Sequence, residues 1–484
     1  MPAFSLANSA QDLRRLLILL AVYAIAANFA LTASVLADPD IWWHLRTGQW
    51  MLEHGAVPMT DPFAQGGAAK PWVAYSWLFE LLAIRLYQKF GLAGILIYKV
   101  PVLLGIVWSV LALLRRLGQS FVAATCLTVL SVLTLTPLLT PRPWLLTILF
   151  FTLELHLLLD FRQTGRRRWM WLLPLLFALW ANVHIQFIYG FLPLLLVVAE
   201  PVFEARSWVR VREAVSLCPW WLLPTCGAAT LLTPYHWRLY RPVLEITQQA
   251  RVYEFVLELQ SMNFRHPAHW IMLGLVLWAA FRLGSFSGRR VFPVLFLLAA
   301  AALSFRANRD VWVAAIAAVT ALALTRSADE SASWQGVTNV RLAIVFALGC
   351  LLAFWVGAQH RISNATLQDE VARSYPIAAA RIVAERRYAG PLYNHFNWGG
   401  YLIWRLPHLP VNIDGRTNLY GAETIQQSLD TWAGKLDWAS DPALSAAGLV
   451  IADVRMPLCS LLRFDQRFEL VYEDAVAAVF RKRP

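Results

Sequence analysis

Charge is scarce in this 484-residue chain: Asp, Glu, Lys and Arg together make up 15%, against 58% hydrophobic residues. That shortage excludes a soluble fold of this length, which could not hide so much apolar surface. Cysteine is scarce as well, with five residues and no CxxC spacing. Cys126, Cys218, Cys226 and Cys350 lie in apolar segments, where a small buried hydrophobe is the simple reading, and only Cys459 lies in a polar region. No disulfide framework is implied. Acidic residues number 30 against 42 basic ones, a net charge of +12. The surplus arginines sit in short loops between apolar runs, which reads as membrane orientation and not as nucleic-acid binding. No small-residue cleavage site follows the first apolar run, so that run is read as an uncleaved span.

What the chain has in abundance is apolar runs of roughly 17–25 residues, the length that crosses a bilayer. Eleven spans are expected, at 16–36, 92–114, 119–137, 143–160, 170–183, 187–200, 214–233, 268–283, 290–304, 311–325 and 341–358. The fifth and sixth are separated only by a polar kink at "NVHIQ". The 23 Trp and 14 Tyr suit interfacial belts, and Trp42, Trp43 and Trp50 are expected as interface anchors. Arg14–Arg15, Arg115–Arg116, "RQTGRRR" (162–168), "RSWVRVR" (206–212), "RLGSFSGRR" (282–290) and 326–341 all fall on one side of this scheme. That side is then cytoplasmic, the N-terminus with it, and the tail after Gln359 lies outside. The stretch 74–91 carries Glu80, Arg85, Gln88 and Lys89 and is read as an amphipathic surface helix. Counted as a span, it would invert every later loop.

The outer ends collect the chemistry. The first outer loop opens with "DPDIWWHLRTG", where residues 41–54 follow helical spacing, and "VPMTDPF" and "GG" mark turns. Asn182, His184 and Gln186 follow in the kink, then His236 and Arg238 in "TPYHWRLYRP", then Arg306, Asn308, Arg309 and Asp310 in "FRANRD". Ionisable groups at membrane depth are costly and face cavities more often than lipid. Each also has a plainer role: Asp38 and Asp40 as helix caps, His236 and Arg238 against lipid phosphates, the 306–310 loop bonded to itself.

This layout resembles the membrane glycosyltransferases of the GT-C superfold, the class that includes protein O-mannosyltransferases and bacterial lipid A aminoarabinose transferases. The resemblance rests on "DPD" at 38–40, "IWWHLRTGQWMLEHG", "AVPMTDPF" and "KPWVAYSWLFELLAIRLYQKFG", and covers about the first 120 residues. It implies a polytopic α-helical GT-C-like fold and a polyprenyl-phosphate-linked sugar donor, with membrane lipid as a further partner. The family commonly carries an adjacent acidic pair, whereas Pro39 separates the two here, which leaves Asp38 and Asp40 both open as the base. Chemistry fits that picture. An inverting transfer needs a carboxylate to take the acceptor's proton, for which Asp40 or Asp38 is placed. A phosphate leaving group needs cations or donors, for which Arg306, Arg309, Arg238 and His236 are candidates. His44, His184, Gln186, Asn308 and Asp310 complete the substrate-binding set on the membrane side. A divalent cation, Mg or Mn, held by Asp38 and Asp40 is a further expectation.

From about residue 359 the apolar runs stop. The tail reads as a soluble α/β domain over 359–484, beside a transmembrane part over 1–358 whose first outer loop, 37–91, bears two surface helices. "YPIAAARIVAERRY" and "AETIQQSLDTWAG" read as helices; "GPLYNHF", "GGYLIWRL", "GLVIADVR" and "FELVYEDAVAAVFRK" read as strands, the last a hairpin, and "PVNIDGRTNLYG" (410–421) reads as a strand and loop. Trp398, Asp414, Arg416 and Tyr420 are candidates for a sugar or acceptor site there. A local ion pair in ordinary turns is the competing reading. The sequence thus predicts a cytoplasmic-membrane glycosyltransferase; a flippase of lipid-linked glycan or a non-catalytic assembly protein are the alternatives. No convincing internal repeat favours the transporter.

Overall fold

The computed structural model describes residues 6–32, 38–205, 210, 212, 215–216, 218–248, 256–288, 291–325, 334 and 337–484. The basic loops at 206–212 and 326–341 fall largely outside them, and the loop at 282–290 does so only at residues 289 and 290. The chain divides into two compact units: Met1–Ala33, Leu96–His236 and Val256–Arg361 form the first, and Ser34–Ile95, Trp237–Phe255 and Ile362–Pro484 the second.

The first unit is helical, and every expected span overlaps a helix. Among the described residues, six helical segments are long and apolar enough to cross a bilayer: Ala10–Thr32, Ala93–Arg116, Trp144–Thr164, Ile185–Glu204, Pro267–Ser285 and Asn339–Gln359. The rest are shorter: Phe121–Thr134, Leu172–Val183, Leu222–Ala229, Val291–Arg306 and Val311–Leu324. Val311–Leu324 is buried from Val311 to Ala323, and its alanines and valines are apolar all round, as a central helix requires. The helix Leu6–Thr32 packs on Asn339–Gln359, where a side chain at Gly349 would stand 2.8 Å from Tyr23 Cβ. Large apolar side chains such as Leu351, Phe354 and Trp355 remain exposed, as lipid-facing positions would. At the expected kink His184 is extended (φ −160°, ψ 141°), ending one helix before the 3-10 turn Ile185–Gly190 begins.

The second unit joins two helices of the first outer loop, Asp40–His54 and Trp77–Phe90, to the tail. At 14 residues, Trp77–Phe90 is about 21 Å long, too short for a bilayer core of about 30 Å. The tail holds a four-stranded sheet of β1 (Leu392–Asn394), β2 (Leu449–Asp453), β3 (Phe468–Glu473) and β4 (Ala477–Lys482), in the order β1-β2-β4-β3. β1 runs parallel to β2 with Leu392 opposite Leu449, and the other pairs are antiparallel. The central β2 is buried throughout, so its apolar residues run without alternation.

Two expected strands are corrected. "GGYLIWRL" forms the helix Gly399–Arg405, because Gly399 and Gly400 let the backbone press on the Ile413 and Pro39 carbonyls, where a Cβ would come within 2.1 and 2.6 Å. "PVNIDG" joins no sheet: Val411 donates to the Phe63 carbonyl at 3.1 Å, and its own carbonyl accepts from the Gln65 N–H at 2.9 Å. The first loop thus satisfies both backbone groups of Val411, while the Asn394 side chain accepts the Asn412 N–H and donates to the Ile413 carbonyl. Trp42 and Trp43 are corrected too. They are 2% and 5% exposed, core residues of the second unit and not interface anchors.

Candidate functional site

In the second unit the acidic motif forms the start of the helix Asp40–His54. Asp38 is buried and its Oδ1 accepts the Asp40 backbone N–H at 3.0 Å, so it caps the turn. Asp40 is half-buried in the first helical turn, where negative charge is favoured. A Cβ at Gly415 would stand 2.1 Å from Asp40 Oδ1, so the carboxylate lies directly against that glycine. One turn on, His44 Nδ1 meets Glu80 Oε1 at 3.1 Å, while Glu80 Oε2 has no hydrogen-bond partner among the described residues. Burial raises the Glu80 carboxyl well above its ordinary range, against the pull of Arg416.

Beside this pair runs a buried ionic network. Arg416 places Nη1 2.7 Å from Asp61 Oδ1, Nη2 2.6 Å from Asp414 Oδ2 and Nε 2.8 Å from Asp414 Oδ1. Tyr420 donates to Asp414 Oδ2 at 2.5 Å, and Asp61 also accepts the Phe63 and Ala64 N–H groups. The guanidinium lies over the Trp72 and Phe63 rings at 4.7 and 5.2 Å. Burial opposes the Asp414 charge, but the Arg416 fork prevails and holds that carboxyl below the usual carboxylate range. The guanidinium is stabilised in turn, its pKa raised although burial alone would lower it. Burial, with Asp414 adding to it, drives the Tyr420 phenol upward. Asp414, Arg416 and Tyr420 are therefore brought together, bonded to one another. The cavity next to them, lined by Trp43, Trp72, Glu80, Arg416 and Asn418, holds only about 10 Å³, too little for a sugar ring. Trp398 is 3% exposed and donates its indole N–H to the Ser374 carbonyl at 3.0 Å, which leaves no open face for stacking.

In the first unit the expected polar loops converge. Asp310 accepts from Gln186 Nε2 at 3.0 Å and from the Tyr189 hydroxyl at 2.8 Å, with Arg309 Nε 4.0 Å away. His184 Nδ1 and Thr147 Oγ1 stand 2.9 Å apart, and Trp180 donates to the same hydroxyl at 2.9 Å. Arg142 pairs with Glu258 at 2.9 Å, and the Glu258 carbonyl accepts the Arg309 N–H. Asn308 donates its side-chain amide to the Leu257 carbonyl at 3.1 Å. Arg306, His236 and Arg238 are exposed, and Arg238 belongs to the second unit.

Sequence reasoning missed several of these groups. Asp61 hides in a turn written "MTDPF", and Arg142, Tyr189 and Glu258 carry no local motif. Glu154 lies inside the helix Trp144–Thr164, wholly buried, and neither carboxylate oxygen has a partner among the described residues. An ionisable residue inside a span was the available signal. Among the described residues no three His, Cys, Asp or Glu side chains gather as a metal site would need, and no metal is assigned to Asp38 and Asp40.

No family model matches the sequence, and no curated protein matches it either. Among solved structures, the crystal structure of ArnT from Cupriavidus metallidurans bound to undecaprenyl phosphate is similar at a TM-score of 0.48 and 14% identity, over 96% of this chain and 97% of that one.

Proposed function

We propose that this chain is a glycosyltransferase of the cytoplasmic membrane. It moves a sugar from a polyprenyl-phosphate donor to an acceptor on the outer side, with Asp40 as the general base. The observation that carries the reading is the setting of Asp40. Its backbone is fixed by the buried Asp38, and its carboxylate stands at a helix start against Gly415, at half exposure. A base needs such a position: held in place, yet open to a hydroxyl. Asp38 is sealed in and bonded to the Asp40 backbone, which favours Asp40 of the two.

In this reading the acceptor hydroxyl gives its proton to the Asp40 carboxylate as its oxygen attacks the anomeric carbon. The bond from that carbon to the phosphate oxygen breaks, and the polyprenyl phosphate leaves with the electron pair. Arg306, Arg309, Arg238 and His236 are the groups proposed to hold the phosphate, since guanidinium forks match its oxygens. His44, His184, Gln186, Asn308 and Asp310 are proposed to position donor and acceptor. The long apolar helices suit a prenyl tail.

The test uses purified protein, a radiolabelled polyprenyl-phosphate sugar and an extracted envelope acceptor fraction. Asp40→Asn should abolish transfer by about a hundredfold or more while leaving the melting temperature unchanged. Asp38→Asn should act mainly through stability. Transfer at the normal rate by Asp40→Asn would remove the proposed base.

A further inference from the structure

The tail has a second opening, whose lining shares no residue with the Asp61–Arg416 network. A cleft of about 460 Å³ runs along the helix Gly421–Trp432 and the turn beyond it. That volume falls within the range of small-molecule sites. Its polar groups are of two kinds. Some are already engaged: Asp441 accepts from the Tyr393 and Thr431 hydroxyls at 2.9 and 2.7 Å, and Asp430 pairs with Lys435 at 2.6 Å. Others are available, because the carboxylates of Glu423 and Asp437 and the amide of Gln427 make no side-chain bond among the described residues. Trp438 completes the wall. It is half-buried, packed against the hydrophobic core of the tail, with the Arg467 guanidinium 5.9 Å from its ring centre.

This combination selects its occupant. Phosphates and other anions are disfavoured, because the lining carries four carboxylates and one lysine within a protein of net charge +12. A lipid tail is disfavoured by the polar walls. A neutral polyhydroxy ring matches each feature: the partly exposed indole offers apolar surface to its C–H groups, while carboxylates and amide meet its hydroxyls as acceptors and donors. We propose that this cleft is a binding site for a short neutral saccharide built of pyranose units. It stands on the cleft alone and does not depend on the transferase reading.

Saturation-transfer NMR of the full-length protein in a sugar-free detergent tests it. The probes are the methyl glycosides of glucose, mannose, galactose and N-acetylglucosamine, with glucose 1-phosphate as the anionic comparison. At least one methyl glycoside should receive saturation, and Trp438→Ala should weaken its binding by about tenfold. Because Trp438 also packs on the core, the exposed pair Gln427→Ala/Asp437→Asn serves as the second variant and should weaken binding without moving the melting temperature. The proposal fails if no methyl glycoside is saturated or if binding survives both variants. Glucose 1-phosphate binding as well as methyl glucoside would also overturn it.

Discussion

Replacing Arg416 by Met strands two carboxylates in the interior of the second unit. The Arg416, Asp61 and Asp414 side chains are each about 1% exposed or less, and one guanidinium is shared by both acids through three contacts of 2.6–2.8 Å. Methionine keeps most of the volume and removes the charge. Breaking a buried pair by deleting one partner costs about 3–5 kcal/mol, because the remaining ion lacks both water and a counterion. For a unit of this size that corresponds to a melting shift of roughly 6–20 °C. The contacts over Trp72 and Phe63 would add to the loss. Thermal unfolding of purified protein in detergent, followed by near-ultraviolet circular dichroism, reads the shift. The diagnostic variant is the triple Asp61→Asn/Asp414→Asn/Arg416→Met. It removes the stranded charges and should recover a large part of what Arg416→Met loses. A shift under 2 °C for the single variant, or no recovery in the triple, would refute the claim that these residues serve to tie the loop at 61–64 to the tail.

Three further outcomes follow from individual contacts. Gly415→Ala places a Cβ 2.1 Å from Asp40 Oδ1, so the carboxylate must move; transfer should fall at least about tenfold with little loss of stability, and an unchanged rate would detach Gly415 from the proposed base. Burial pushes His395 down to about 4, with Asp453 pulling its pKa upward and Arg455 downward. Its unfolded value near 6.5 is higher, so the unfolded chain binds the proton first. The contribution of neutral His395 is therefore full above about pH 6.5, is lost as the pH falls toward 4, and reaches about 3 kcal/mol. Melting curves from pH 7 to 4.5 should fall less steeply for His395→Phe than for the native chain; parallel curves would contradict the assignment. Glu154→Leu removes two carboxylate oxygens that have no partner among the described residues, and should leave the melting temperature equal or higher by the equivalent of about 1–3 kcal/mol. A large drop would mean that this acid is bonded in the folded protein.

The fold was legible where apolar periodicity alone decides. Each expected span overlaps a helix, the polar kink at 182–186 breaks its helix at His184, and the hairpin at "EDA" is β3 and β4. The failures have one cause. "GGYLIWRL" and "PVNIDG" have strand-like composition, but Gly399, Gly400 and Val411 press on chain from other elements, and that contact sets their backbone. Trp42 and Trp43 fail for the same reason. An indole beside a span suits a lipid interface equally well until Tyr375 and Tyr401 pack edge-on against Trp42 at 5.5 and 5.1 Å.

The site was legible in the same measure, as residue types but not as partners. A carboxylate's role depends on what stands within about 3 Å of it, and that is a matter of tertiary contact. Asp61 is the clearest instance. In sequence it opens a turn in a surface loop; in the folded unit it accepts two backbone N–H groups and half of a guanidinium 355 residues away. Asp40, only 21 residues earlier by number (61 − 40), is left half-exposed against a glycine. Two aspartates of one loop are thus divided by their surroundings: Asp61 is sealed among donors and held as structure, and Asp40 stays at the partly exposed start of a helix, which is why the proposed base is Asp40.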